Sequence, residues 1–476
     1  MNSGQRLAPG VEIDGYVLEA HLHRGGMAAL WRVHHPNLPG PAIMKIPMLS
    51  DPSDPTAIVS FEVEQMIMPL LTGVHVPRFF GSGGFESVPY LVMEELPGHS
   101  LRKRFEESPL PPEEVATLGH KIATALHALH KQQVIHLDVK PSNIMFRERP
   151  DGSQGEAVLI DYGLARHDHL PDLLAEEFRL PMGTGPYISP EQVMRVRNDP
   201  RSDLFALGVL MYHLATGQRP FGFPTTVRGL KRRLIDIPKA PRALNPQVPP
   251  WLQEVILHCL EVDPEQRYGS AAQVAFDLAH GDQVALTGRA ERLADDGTGA
   301  RFKRWFKSIG VEQATRSVSR TLESAPIIMA AVDLSQEWEA LAAALRTAAR
   351  RVLQTEPSAR LACVSVLRTN RIGMDVTTDE AGRNLHVTRL VELKHWARPL
   401  ELPPERVTFH VLEAPDPANA IIDYAATNRV DHIVIGSRGN STLRRYLGSV
   451  SAKVVAQAEC TVTVVKAQRD DAPNKP

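Results

Sequence analysis

Cysteine is scarce in this chain. Cys259, Cys363 and Cys460 are the only three in 476 residues, and they lie far apart. That spacing excludes a cysteine metal site and reads as small buried hydrophobes in a reducing compartment. Long apolar runs are also lacking. No stretch approaches the ~18 residues of a membrane span, and Met1 to Gly10 lacks the apolar core of a signal peptide. Net charge is nearly absent at −2, which gives no global pull toward nucleic acid. The histidines His21, His23, His34, His35, His167 and His169 fit no coordination spacing and read as surface groups. These absences set the expectation of a cytoplasmic protein with no transmembrane segment and no nucleic-acid partner. Hydrophobic content of 43% and charged content of 23% are ordinary for a globular chain. The length accommodates about two to four domains.

The chemistry concentrates in His136-Leu137-Asp138-Val139-Lys140-Pro141-Ser142-Asn143. One short loop presents a carboxylate, an ammonium and a carboxamide, with a proline stiffening the backbone between them. An apolar-periodic run precedes it (Val115 to Leu129), and a strand-like run after it ends in Asp161-Tyr162-Gly163. Phosphoryl transfer needs such a set: a carboxylate to orient a hydroxyl, a cation for the migrating group, and oxygen ligands for magnesium. The spacing Asp138-x-x-x-x-Asn143 is that of a kinase catalytic loop. On these residues the chain resembles the bacterial Ser/Thr protein kinases of the eukaryotic-like type. The resemblance implies a bilobal protein-kinase fold (α+β) over 16–280, with a small lobe at 16–95 and a large lobe at 96–280, behind an N-terminal tail at 1–15. It implies ATP and Mg2+ as cofactors and protein Ser/Thr hydroxyls as acceptors. Many members carry a membrane span after the catalytic domain. None is read here, which argues against an extracellular sensor.

Further residues fall into place under that resemblance. Tyr16 to Val33 reads as a hairpin bent around His23-Arg24-Gly25-Gly26-Met27. In kinases this hairpin covers the nucleotide phosphates, and glycine lets the backbone approach them. Of the family's three glycines only Gly25 is in place, with Gly26 beside it; His23 and Ala28 occupy the other two positions. Leu30 and Ala42 are the expected adenine-lining residues of the next two strands. Lys45, in Ala42-Ile43-Met44-Lys45, resembles the lysine that holds the α- and β-phosphates. Glu64, on a helical run from Phe61 to Leu71, resembles its partner, so that the ammonium can be desolvated yet neutralised. Met93 is placed as gatekeeper, and Glu94 to Leu96 as the adenine-binding hinge. Asp138 would orient the acceptor hydroxyl and Lys140 would offset γ-phosphate charge. Asn143 and Asp161 would bind magnesium.

Two departures shape the expectation about control. Leu137 stands where many kinases have the arginine that pairs with an activation-loop phosphate. The stretch Leu164 to Ile188 contains no serine, and its hydroxyls are Thr184 and Tyr187. Thr184 resembles the threonine beside the catalytic aspartate and lysine. Activity independent of activation-loop phosphorylation is therefore expected. The acidic residues Asp172, Glu176 and Glu177 either order the loop or form a solvated helix face. Ser189-Pro190-Glu191, Asp203 and Arg267 resemble the family's structural signals, with Asp203 bracing the catalytic loop and Arg267 pairing with Glu191.

Residues 281–324 lose apolar periodicity and read as a linker with a short basic helix at Arg301 to Lys307. Thr315, Ser317, Ser319 and Thr321 are candidate autophosphorylation sites there. Strands then alternate with helices: Ile327 to Val332, Leu361 to Leu367, Val407 to Leu412, His432 to Gly436 and Thr461 to Lys466, with 368–406 read as irregular. This predicts an α/β domain with a parallel five-stranded sheet, ligands lying beyond the strands' carboxyl ends. Gly436-Ser437-Arg438-Gly439 and Gly448-Ser449 resemble the nucleotide-binding signature of universal stress proteins, whose spacer is one residue longer than Asn440 to Leu447. Asp333 resembles their nucleoside-contacting residue. The resemblance covers 325–467, ahead of a polar tail at 468–476, and it includes self-association through the stress domain. A scaffold that binds nucleotide without phosphotransfer is the competing reading. The thinned glycine loop favours it, and the six intact residues Lys45, Glu64, Asp138, Lys140, Asn143 and Asp161 oppose it.

Overall fold

The structure, a computed structural model, describes residues 7–48, 55–149, 151–293, 326–334, 339–369, 378, 383–437 and 448–466. The expected basic helix at 301–307, Thr315, Ser317, Ser319, Thr321, Gly439 and the tail lie outside them. Short alternating runs build a six-stranded antiparallel sheet from β1 (Glu12–Ile13), β2 (Tyr16–Arg24), β3 (Ala28–His34), β4 (Ala42–Pro47), β5 (Phe79–Gly83) and β6 (Tyr90–Glu94), in the order β1-β2-β3-β4-β6-β5. Pairing of Ile13 with Tyr16 starts this sheet inside the stretch read as a tail. Along β4 the side chains alternate: Ala42 and Met44 are buried, Ile43 and Lys45 half-buried. One helix, α1 (Thr56–Ile67), packs beside the sheet and carries Glu64.

The second lobe is mainly helical. It is built from α2 (Pro112–His130), the short strands β7 (Val134–Ile135), β8 (Ile144–Glu148), β9 (Gln154–Leu159) and β10 (Arg166–His167), then α3 (Leu173–Glu177), α4 (Pro190–Val193), α5 (Arg201–Thr216), α6 (Pro250–Cys259) and α7 (Ala271–Ala279). Only Arg201 and His213 of α5 escape burial. A helix apolar on every side belongs at the centre of a core, and α2 and α6 pack against it. Packing continues past residue 280. Glu254 on α6 accepts hydrogen bonds from the amides of Thr287 and Ala290, each at 3.0 Å. Gln253 donates to the carbonyls of Arg289 and Arg292 at 2.7 and 2.9 Å. Residues 281–293, read as linker, are thus part of this lobe.

The C-terminal unit is a five-stranded, all-parallel sheet of β11 (Ile327–Ala331), β12 (Arg360–Arg368), β13 (Val407–Ala414), β14 (His432–Gly436) and β15 (Thr461–Val465), in the order β13-β12-β11-β14-β15. Its helices are α8 (Glu339–Thr355), α9 (Leu385–Ala397), α10 (Pro417–Asn428) and α11 (Ser449–Gln457). Leu345 and Leu390 of α8 and α9 fill one face; Ile421 and Val454 of α10 and α11 fill the other. Helix α9 corrects the reading of 368–406 as irregular. Its buried residues Val387, Leu390, Leu393 and Trp396 recur at helical spacing behind an Asn384 cap. The charged residues between them mask the pattern.

A buried bidentate ion pair ties the end of the activation segment to the large lobe. Arg267 donates to both oxygens of Glu191, each at 2.7 Å, and Ser202 Oγ donates to Oε1 at 2.6 Å. Removing one member strands the other charge in a dry interior. Arg267→Ala is expected to cost about 3–5 kcal/mol of unfolding free energy, measured by urea titration of the full chain.

Candidate active site

The cleft between the first two lobes is organised by Lys45. Its Nζ donates to Glu64 Oε2 at 2.6 Å and to Asp161 Oδ1 at 2.8 Å. Glu64 is 1% exposed, and the amide of Tyr162 donates to its other oxygen at 3.4 Å. Burial would lower the Lys45 pKa, but the two carboxylates outweigh it and hold the ammonium charged. Lys45 in turn depresses Asp161 to about 2, against the effect of burial, so that carboxylate is ionised at neutral pH. Gly163 lies against α1, where an added Cβ would meet Ser60 at 3.2 Å. Tyr162 is fully buried, with its hydroxyl donating to the Leu159 carbonyl at 2.9 Å.

Across the cleft the catalytic loop gathers a second set. Asp138 Oδ2 accepts from Lys140 Nζ at 2.6 Å, and Oδ1 accepts from Thr184 Oγ1 at 2.6 Å and from the Thr184 amide at 3.1 Å. Lys140 also donates to Thr184 Oγ1 at 3.2 Å. Asn143 Nδ2 donates to the Asp138 carbonyl and to Oδ2, at 3.1 and 3.2 Å. The Asn143 side-chain oxygen accepts from Ser142 Oγ at 3.1 Å and keeps a second lone pair that can ligate a metal. Lys45 engages Oδ1 of Asp161, which leaves Oδ2. Two such oxygens fit a hard divalent cation.

Buried groups set this loop's shape. Leu137 is held at φ 61°, where a branched side chain is strained. Asp203 compensates by accepting from the amides of Leu137 and His136 at 2.8 and 2.9 Å, and it faces His130 Nε2 at 2.9 Å. Gln192 on α4 donates to the Leu137 carbonyl at 2.8 Å. Arg233, 1% exposed, donates to the carbonyls of Gly185 and Ile188 and so fixes the chain after Thr184. The family resemblance pointed to Asp203. It did not point to Gln192, which directly follows Ser189-Pro190-Glu191, or to Arg233, which lies outside any recognised motif.

At the roof of the cleft, Leu30 stands opposite Lys45 in the β3–β4 register and shares its face. Ala42 does not. It is fully buried among Trp31, Val33 and Met44 on the other face of the sheet. Ile43 takes the cleft-facing place, because side chains alternate along a strand and Ile43, not Ala42, is in phase with Lys45. Gly25 closes the hairpin through its amide, which donates to the Ala28 carbonyl at 2.9 Å. An added Cβ at Gly26 would meet nothing within 4 Å, so the protein itself does not require glycine there. Met93 is buried, and the Glu94 carboxylate is taken by Arg147 at 2.6 and 3.0 Å. Glu94 therefore offers the cleft its backbone, as does half-buried Leu96.

A cavity of about 500 Å3 lies beyond the carboxyl ends of the C-terminal sheet. Asp333, Gly436, Gly448 and Ser449 all line it, with Val366, Arg368, Arg389 and Ser451 as further walls that spacing did not point to. Gly436 is required by close packing, since a Cβ there would come within 2.9 Å of Leu341.

A two-lobed cleft with this lysine, aspartate and asparagine geometry defines a phosphotransferase of the protein-kinase class. The protein kinase domain family model matches residues 24–277 and the universal stress protein family model matches residues 326–466. The chain belongs to the protein kinase family and carries a universal stress protein domain behind the catalytic one. It is similar to the serine/threonine-protein kinase PknL of Mycobacterium tuberculosis, 30% identical over 274 residues, covering 57% of this chain and 67% of that one. A probable serine/threonine-protein kinase of Streptomyces coelicolor is 29% identical, covering 60% and 43%. Pkn1 of Myxococcus xanthus is 30% identical, covering 60% and 41%. The chain thus spans about two thirds of PknL and under half of the other two. Among solved structures, the kinase domain of PknI from Mycobacterium tuberculosis is similar at 23% identity and a TM-score of 0.46, covering 58% of this chain and 100% of that one. Membership implies use of ATP and a divalent metal. Among the described residues no helix is long and apolar enough to cross a membrane.

Asp203 offers a test of the loop that needs no substrate. Asp203→Ala leaves two buried amides unpaired and is expected to cost about 3 kcal/mol. Urea unfolding reads the loss, and Asp203→Asn, which keeps an acceptor, should lose less.

Proposed function

We propose that this chain transfers the γ-phosphoryl group of Mg-ATP to serine and threonine hydroxyls of proteins. The observation that supports it is the convergence of Lys45, Glu64 and Asp161 with Asp138, Lys140, Asn143 and Thr184 on one cleft. Lys45 holds the α- and β-phosphates while Glu64 and Asp161 keep it charged and fixed. Asp138 orients the acceptor hydroxyl and takes its proton. Lys140, anchored between Asp138 and Thr184, neutralises charge on the migrating group. Asn143 and Asp161 hold the magnesium ion, which supplies charge neutralisation between the phosphates when bound. Lysine at 140 supports Ser/Thr specificity, and the need for ATP supports a cytoplasmic location. Ile43, Leu30, Met93 and the backbone of Glu94 to Leu96 enclose the adenine, under the hairpin of Gly25 and Gly26.

The stress domain binds adenine nucleotide in its own cavity. Asp333 reads the nucleoside, and the amides of Ser449 and Val450, at the start of α11, take phosphate, while the Gly448 amide is held by Ser437 Oγ at 3.2 Å. The domain boundaries that follow are about 7–293 for the kinase and 326–466 for the stress domain.

Purified full chain with labelled ATP and magnesium is expected to phosphorylate itself or a basic protein substrate. Asp138→Asn should lower that rate by about 10³-fold. ATP retention without transfer, across metals and substrates, would leave a nucleotide-binding scaffold instead. Phosphatase treatment is expected to leave the rate unchanged. Lost activity, with phosphate mapped to Leu164–Ile188, would overturn independence from loop phosphorylation. By calorimetry, Asp333→Ala should remove a second equivalent of bound nucleotide and spare the first.

A further inference from the structure

The stress domain does not hang free of the kinase. Lys394, on α9, donates to Glu62 of α1 at 2.5 Å, and its Nζ lies 5.4 Å from the ring of Phe85. Phe85 packs edge-on against Phe61 of α1, with ring centroids 5.6 Å apart. Glu62 and Glu64 are two residues apart, so they leave the helix on nearly opposite sides. Lys45 therefore grips one side of α1 and the stress domain grips the other.

A second set of contacts reaches the activation segment. Glu176 of α3 is 7% exposed. It pairs with Arg360 on β12, lies 3.0 Å from His410 Nε2 on β13, and accepts from the Tyr424 hydroxyl on α10 at 3.1 Å. Asn428 donates to the Glu176 carbonyl at 3.3 Å. His410, fully buried, also lies 3.5 Å from Glu177. Burial would lower the His410 pKa, but the two glutamates outweigh it and hold it at about 9. The imidazolium is thus charged at neutral pH. At its other end α3 is capped by Asp172, which Arg197 holds at 2.9 and 3.1 Å.

We propose that the stress domain supplies positioning residues for the kinase site: Lys394 fixes α1 through Glu62, while Arg360, His410 and Tyr424 fix the activation segment through Glu176. This rests on the phosphotransfer reading of the cleft. The catalytic loop has Leu137 where an arginine would hold a loop phosphate, and the loop carries a carboxylate instead of the phosphate. The cations come from the other domain. Helix α3 has five residues, too short to persist without tertiary contacts. It packs directly on α1, so its loss would free both elements that align Lys45 with Asp161.

The test uses the full chain with Lys394→Glu and Arg360→Glu, alone and combined with Glu62→Lys and Glu176→Arg respectively. Each single variant is expected to lower kcat for protein substrate by about tenfold or more, with KM for ATP moving less than about threefold. Glu62→Lys with Lys394→Glu, which restores the partly buried ion pair with its charges exchanged, should recover most of kcat. Hydrogen exchange of residues 56–67 and 173–177 should lose protection in the single variants and regain it in that double variant. Wild-type kcat and protection in both single variants would overturn the proposal. If the wild type transfers no phosphate, the kinase reading fails, and exchange still decides whether the stress domain holds α1 and α3. Variants that melt at the wild-type temperature exclude general unfolding as the cause.

Discussion

One ammonium group, on Lys45, joins α1 to the head of the activation segment. It contacts Glu64 on the one and Asp161 on the other. A charge this enclosed is stable only while both carboxylates remain within reach. The position of α1 and the backbone around Asp161–Gly163 are therefore coupled. Any contact that moves α1 is felt at the Asp161 carboxylate, and any contact that moves the segment is felt at the lysine.

The rest of the chain reads as support for that bridge. From below, Asp203 and Gln192 hold the catalytic loop by its backbone, and Arg267 and Arg233 fix the segment's far end. From outside, the stress domain closes on the free side of α1 and on α3. Helix α10 carries both ends of a longer connection: Pro417 and Ile421 line the stress-domain cavity, while Tyr424 and Asn428 touch Glu176. A single rigid element thus spans the distance between a ligand-sized space and the activation segment.

The parts legible in the sequence share a property: their chemistry is local or their spacing is stereotyped. Asp138, Lys140 and Asn143 sit in one loop. The five parallel strands announce themselves as apolar runs. The phase of β4 is not legible to one residue in the sequence: Ile43, not Ala42, faces the cleft, and strand register, set by β3 and β6, decides it. Helix α9 was hidden because its buried apolar positions alternate with charges such as Lys394 that have their own tertiary use. The acidic run at Asp172, Glu176 and Glu177 left two readings open. The structure separates them: Asp172 caps α3 and Glu176 is buried under another domain. Ion pairs that connect residues 62 with 394, or 176 with 410, leave no trace in local spacing.

The measurement closest to the central claim is a single-turnover transfer rate for Lys45→Met against the wild type, at saturating ATP and magnesium. A bridge that both holds phosphate and aligns Asp161 predicts phosphoserine or phosphothreonine from the wild type and a loss of about 10²-fold or more in the variant. Equal rates from the two proteins would contradict it, because the ammonium on which the arrangement depends would then be dispensable.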